Sequence, residues 1–290
     1  MAYVDAVDTV KNIVLIAKPG QAQALALAKF LKARFSRQTF LAGVGLAEEL
    51  GWEGAPEEEL REAAELLLVL GGDGTLIQGA RLLAGRPVPI LGINLGSLGF
   101  LTETAKEEVE GALEALLAGG GQVDSRMKLS CRLFREGGCV FADEALNDVV
   151  VNKGVLARMV DHEAWIEGEL VAVYKSDGII CSTPTGSTAY CLAAGGPIVH
   201  PAVDCLILTP ICPHALTQRP IVVPSSQKIR IVLKREVNDV FLTIDGTGGI
   251  PLKSGDWIEI EEAENRVLLV RSPSLSYFGV LRKKLHWGER

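Results

Sequence analysis

The chain has 290 residues, 48% hydrophobic and 22% charged, a globular mix long enough for about two domains whose cores need no disulfide staples. Its 36 acidic residues outnumber 29 basic ones, for a net charge of −7. That balance excludes a protein whose main work is gripping nucleic acid, because phosphate backbones demand a basic footprint.

In chain order, the N-terminal stretch carries Asp5 and Asp8 and lacks a basic start before its apolar run, so it does not read as a signal peptide. NIVLIA (12–17) predicts a buried strand stopped by Pro19-Gly20, and QAQALALAKFLKARF an Ala-rich helix. Pro56 before Glu57, Glu58 and Glu59 suits the first turn of another helix, where acidic side chains face the positive end of the dipole. ELLLVL (65–70) and VPILGIN (88–94) read as buried strands with TLIQGARLLAG as the helix between them. Runs such as Leu66–Leu70 are far too short to cross a bilayer, so no membrane role is expected. Thr104 and Glu107 have capping-box spacing ahead of a helix that ends in Gly119-Gly120-Gly121.

After that triple glycine the rhythm changes. MKLSCRLFR, CVFADEALNDVVVN, RMVDHEAWIEG, LVAVYKSDGIICS, QKIRIVLKR, VFLTIDG, DWIEIEE and NRVLLVR alternate or are β-branched, with Gly, Asn, Asp and Pro between them. The expected fold is therefore an α/β N-terminal domain with a parallel sheet (residues 1–124) and a mostly β, sandwich-like C-terminal domain (125–273). The helical tail 274–290 is expected to pack back on the first domain. The six cysteines form no CxxC pair and have apolar neighbours, the pattern of buried reduced thiols in a cytoplasmic protein. His162, His200, His214 and His286 lack the spacing of a metal site or a catalytic triad.

Three glycine- or hydroxyl-rich runs carry the chemistry. Gly71-Gly72-Asp73-Gly74-Thr75 follows a strand directly and opens a helix, so a phosphate can approach its main chain and the helix N–H groups. Its one carboxylate, Asp73, stands where parallel sheets place their ligand crevice; the plain alternative is an N-terminal cap. The chain has no GxxxxGK[ST], which excludes a P-loop. Gly92–Thr102 is a second glycine-rich run after a strand, lacking GxGxxG spacing. Thr183-Pro184-Thr185-Gly186-Ser187-Thr188-Ala189-Tyr190 offers hydroxyls for phosphate or ribose and an aromatic face for adenine, or is an ordinary Ser/Thr turn.

Together these runs resemble the NAD kinase family, whose GGDGT hallmark is followed here in order by an NxGxxGFLTE-like segment (94–103), an Asn-Asp pair (Asn147-Asp148) and TPTGSTAY (183–190). GGDGT alone is shared with diacylglycerol, sphingosine and phosphofructokinase-type kinases; TPTGSTAY with the Asn-Asp pair is far more specific. The resemblance implies transfer of the γ-phosphoryl of ATP, with a divalent metal (Mg²⁺ or Mn²⁺), to the 2′-hydroxyl of the adenosine ribose of NAD, giving NADP. It implies Asp73 as proton acceptor, Gly74 beside the substrate, and Asn147 and Asp148 on the nucleoside. Arg158, Lys175 and Asp177 match family ligand contacts. Thr188, Ala189, Tyr190, Cys191, Leu192 and Ala193 match the stretch that holds the adenosine of NAD, with Tyr190 as the stacking ring. Thr247 departs from the pattern, which has Gln after Asp-Gly in many members, and Cys191 stands where Ser is frequent. No residue is assigned to the metal. The resemblance further implies a homodimer or homotetramer built through the β domains. Two other functions stay open on the sequence: a lipid kinase of the diacylglycerol type, and a silent module that senses NAD or NADP.

Overall fold

The computed structural model describes residues 10–154, 159–233 and 239–288. The chain divides into two compact units, residues 1–125 with 267–290, and residues 126–266.

The first unit is built on a parallel sheet. Asn12–Ala17 pairs on one side with Thr39–Gly43, which pairs with Gly54–Ala55, and on the other with Leu66–Leu70, which pairs with Pro89–Asn94. The chain thus winds outward from Asn12–Ala17, then returns to its opposite side. That reversal makes a topological switch point between Asn12–Ala17 and Leu66–Leu70. All five residues of Leu66–Leu70 and all six of Pro89–Asn94 are buried, as strands covered on both faces must be. The helix Ala22–Arg34 buries Ala24, Leu27, Ala28 and Leu31, the i, i+3, i+4, i+7 stripe of a helix lying on a sheet.

Two details differ from the sequence-based expectation. The N–H of Ala105, not of Thr104, donates to a carboxylate, that of Glu108, so the cap sits one residue later. Val267–Val270, grouped above with the second domain, pairs in parallel with Pro89–Asn94 and has Val123–Arg126 as its other neighbour. It therefore completes the first unit's sheet, and the helix Tyr277–Leu285 belongs to the same unit.

The second unit, among the described residues, holds two six-stranded sheets. One runs Ile221–Pro224, Cys205–Ile211, Gly178–Ser182, Asp148–Lys153, Val240–Ile244, Thr247–Pro251, with every neighbouring pair antiparallel. The other runs Glu169–Ser176, Val160–Ile166, Ile229–Leu233, Trp257–Glu262, Leu129–Arg135, Gly138–Ala145, also antiparallel. Alternate residues such as Leu129, Cys131 and Leu133 join Val149, Val151, Cys181 and Leu206 of the first sheet in one core, which makes this unit a sandwich. Four cysteines are buried, as expected, but Cys139 and Cys212 are exposed because they lie on an edge strand and beyond a strand end. Among the described residues no helix is long and apolar enough to cross a membrane.

Candidate active site

In the first unit the switch point and the glycine motif coincide. Gly71–Gly74 leaves the carboxyl end of Leu66–Leu70 and starts the helix Asp73–Leu82, whose N-cap is Gly72. Asp73 does not cap its own helix. Its carboxylate reaches instead to the second glycine-rich run: Oδ2 accepts the N–H of Phe100 at 2.8 Å, and Oδ1 accepts those of Leu101 at 3.0 Å and Thr102 at 3.1 Å, with the Thr102 hydroxyl at 3.1 Å. One carboxylate thus ties both glycine loops together. Oδ1 is crowded with three donors, whereas Oδ2 holds one among the described residues and keeps lone-pair capacity for a further donor.

The glycines of these loops fall into two kinds. A Cβ on Gly99 would stand 2.0 Å from Asp73 Oδ1, and one on Gly71 2.7 Å from Thr75 Oγ1, so packing requires both. A Cβ on Gly72 or Gly74 would meet nothing within 4 Å, and neither residue has a positive φ. Nothing among the described residues demands glycine there. Bare main chain at the positive end of a ten-residue helix suits the close approach of an anion.

In the second unit three adjacent central strands open at one end of their sheet. Asp148 lies opposite Ser182, and Val149 opposite Ile244, so residues 146–148, 183–190 and 245–247 emerge side by side. Asp245 and Gly246, with φ of 50° and 69°, form the tip of the hairpin in which Ile244 pairs with Thr247. This is the primed turn that Asp-Gly favours. The Asp245 carboxylate accepts three consecutive N–H groups, from Leu146 at 3.0 Å, Asn147 at 2.7 Å and Asp148 at 3.2 Å.

Asp148 is a buried carboxyl, 3% exposed. Burial first, then the charge of Asp245, push it up to about 7, while the N–H of Tyr190 pulls the other way. Tyr190 starts the short helix Tyr190–Ala193 and is 42% exposed, so its ring face is presented and not sunk in the core. Its phenol is raised by partial burial and by Cys212, Asp148 and Asp177.

Residues 13–121 match the family model described as the ATP-NAD kinase N-terminal domain, and residues 146–272 the one described as the ATP-NAD kinase C-terminal domain. The NAD kinase of Geobacter metallireducens is 54% identical over 244 residues, 84% of this chain and 86% of that protein. The chain belongs to the ATP-NAD kinase family. The fold of this NAD kinase family member agrees with solved structures. A yeast NADH kinase complexed with NADH superposes with a TM-score of 0.91 at 26% identity, covering 98% of this chain and 89% of that one. An NAD kinase from Archaeoglobus fulgidus in complex with ATP gives 0.73 at 26% identity, covering 94% and 99%.

The structure of this family member sorts the residues read from its sequence. Asp73 and Gly74 sit together on the first unit's switch point. Asn147, Asp148, Tyr190 and Thr247 gather at one end of the second unit's sheet. Asp177 precedes Gly178, at the other end of the strand that finishes at Ser182, and pairs there with Lys153 at 3.5 Å, yet its charge still reaches the Tyr190 phenol; Lys175 lies two residues before it on the strand Glu169–Ser176. Arg158 lies outside the described residues.

Most hydroxyls of the TPTGSTAY run are turned inward onto main chain. Thr183 Oγ1 donates to Leu146 O at 2.6 Å, Ser187 Oγ to Pro184 O at 2.6 Å and Thr188 Oγ1 to Thr185 O at 3.2 Å. They build the loop and do not line a phosphate site. Cys191 is buried with its thiol 3.3 Å from Thr209 Oγ1, so any ligand contact there comes from main chain; Ala189 and Leu192 are half-buried and Ala193 exposed. Thr247 Oγ1 is spent on Ile244 O at 2.8 Å. Asp245 is the residue missed by sequence reasoning, although the Asp-Gly pair after VFLTI is a hairpin signal.

Proposed function

We propose that this chain transfers the γ-phosphoryl group of ATP to the 2′-hydroxyl of the adenosine ribose of NAD, giving NADP and ADP. The observation that carries this reading is that both halves of one chain match the two halves of the same enzyme family, from residue 13 to residue 272. The 2′-oxygen attacks the γ-phosphorus, the bond from that phosphorus to the β–γ bridging oxygen breaks, and the hydroxyl proton passes to Asp73. Oδ2 is the oxygen suited to take it, because it holds one loop donor against three on Oδ1. Holding the carboxylate by main-chain N–H groups also aims it, and in phosphoryl transfer aim and charge neutralisation supply most of the rate.

No cluster of three His, Cys, Asp or Glu side chains suited to a metal occurs among the described residues. A divalent cation such as Mg²⁺ fits as the companion of the ATP phosphates, since it commonly keeps its waters and takes only one or two carboxylates. Bound so, it would neutralise charge on the transferring group. The exposed Gly72–Gly74 main chain would receive phosphate oxygens. Asn147 and Asp148 would hydrogen-bond the nucleoside, and the Tyr190 ring would cover the base. A homo-oligomer assembled through the second units and a cytoplasmic location complete the reading, by family resemblance.

Purified protein with Mg²⁺ and ATP is expected to convert NAD to NADP and to leave diacylglycerol untouched. Phosphorylated lipid, or NAD binding without turnover, would overturn the proposal.

A further inference from the structure

We infer that Asp245 is a positioning residue for the nucleoside-binding pair: from the tip of its hairpin it grips the main chain of Leu146, Asn147 and Asp148 and fixes where the side chains of Asn147 and Asp148 stand. The inference rests on reading that pair as the nucleoside contact. Three observations converge on it.

The grip is reciprocal. The Asp245 carboxylate accepts three successive N–H groups at 2.7–3.2 Å, and the Asp245 N–H donates to Asp148 O at 2.9 Å. Charge-assisted bonds of this kind are about twice as strong as neutral ones. The opposite side of the same segment is also held. Asn147 O accepts the Thr183 N–H at 2.9 Å, and a Cβ on Gly186 would stand 2.1 Å from that oxygen. With its main chain spent on both sides, residue 147 offers only its half-buried side chain outward.

The turn also suits the residue. Asp-Gly is among the pairs a primed turn favours, so Asp245, at φ 50°, holds its backbone without forcing while its carboxylate is presented to the neighbouring segment. Finally, Asp245 acts on Asp148 through space. Among the described residues, Asp245, Tyr190, Cys181 and Cys191 interact electrostatically with the buried Asp148 carboxyl, and Asp245 is the one that raises it most after burial itself.

The test compares wild type with Asp245→Asn, which keeps the turn, and Asp245→Gly, which keeps the turn and removes every side-chain acceptor. NAD dissociation constants, kcat and KM are measured across neutral pH, with melting temperatures alongside. The expected result for Asp245→Asn is NAD affinity weaker by about tenfold, the loss of one charge-assisted bond's worth, with KM rising and kcat changing much less. The pH midpoint of NAD affinity should move downward, because a negative charge beside Asp148 is gone. Asp245→Gly should weaken NAD further, and it decides the matter if the Asn variant does not fold. Unchanged affinity and midpoint would overturn the inference. So would a lower melting temperature with an unmoved midpoint, which marks a purely structural role. Wild type that binds NAD but makes no NADP would instead sink the kinase reading and leave the Asp245 result standing.

Discussion

Replacing Asp73 with Asn keeps the shape of the side chain and removes its charge. The cost follows from the four donors it holds. With its oxygen in the Oδ1 position, Asn keeps the bonds to Leu101 N, Thr102 N and Thr102 Oγ1 as neutral ones, while its NH₂ confronts the Phe100 N–H now 2.8 Å from Oδ2. Bonds to an ionised group contribute about 1.5–3 kcal/mol and neutral ones about 0.5–1.5. Losing one and weakening three, without full additivity, should loosen the loop of residues 96–102 by roughly 2–4 kcal/mol. Loss of the proton acceptor should separately lower turnover by about 10²–10⁴. Thr102→Val removes one donor and keeps the carboxylate, so it should cost about 1 kcal/mol and a far smaller share of turnover. The assay is NADP formation at saturating ATP and NAD, run beside denaturant unfolding of each variant. Near-normal turnover in Asp73→Asn would mean the carboxylate is only a clamp. Equal losses of turnover in the two variants would mean that the loop, not the charge, limits the rate.

Gly74→Ala should fold with unchanged stability, since its Cβ meets nothing within 4 Å, yet raise KM for ATP or NAD at least several-fold; unaltered kinetics would remove the claim that ligand lies on this main chain. Tyr190→Ala should weaken NAD by about 5- to 150-fold, the range of a lost base stack, while Tyr190→Phe stays near wild type. A Phe variant as damaged as Ala would point to the hydroxyl instead. His162 is fully buried with neither ring nitrogen hydrogen-bonded among the described residues, and burial lowers it to about 4 from 6.5. A depressed histidine favours the fold above pH 6.5 and loses that contribution as pH falls toward 4. His162→Leu should therefore add about 1–3 kcal/mol at neutral pH and more in acid; a parallel loss of stability with pH in both proteins would refute the assignment.

Much of this was legible because period and punctuation carry it. Leu66–Leu70 is an unbroken apolar run ended by glycine and Pro89–Asn94 a mostly apolar one that stops at Asn94, and a parallel sheet covered on both faces requires such runs. Cys205–Ile211 escaped notice although every residue is buried, because Pro210 argues against a central strand. The register explains how it is tolerated: pairing with Ile221–Pro224 covers Cys205 to Leu208 and stops before Pro210. Thr247–Pro251 hid for a similar reason, as Gly248, Gly249 and Pro251 are poor strand formers. Within the site, the sequence shows which residue types are present but not which way they turn. The hydroxyls of Thr183, Ser187 and Thr188 look ligand-facing in one dimension and are spent on main chain in three. Asp245 acts on residues about a hundred positions away, a contact that depends on strand order and leaves no local mark.

The place of Val267–Val270 bears on how the protein is made. The sheet that holds Asp73 is assembled from residues 12–126 and then closed by a strand that leaves the ribosome after the whole second unit has been synthesised. Until then the Pro89-Ile90 end of Pro89–Asn94, a fully buried strand in the finished molecule, has an open side, since Thr104–Ala105 pairs only with its Ile93-Asn94 end. Such an edge is a template for pairing with another nascent chain. The second unit, continuous in sequence, has all its strands in hand before the first does. A ribosome that stops short of residue 267 would accordingly release a sandwich able to close beside an α/β unit that cannot, and the damage would fall on the Asp73 half while the residues actually missing come from the opposite end of the chain.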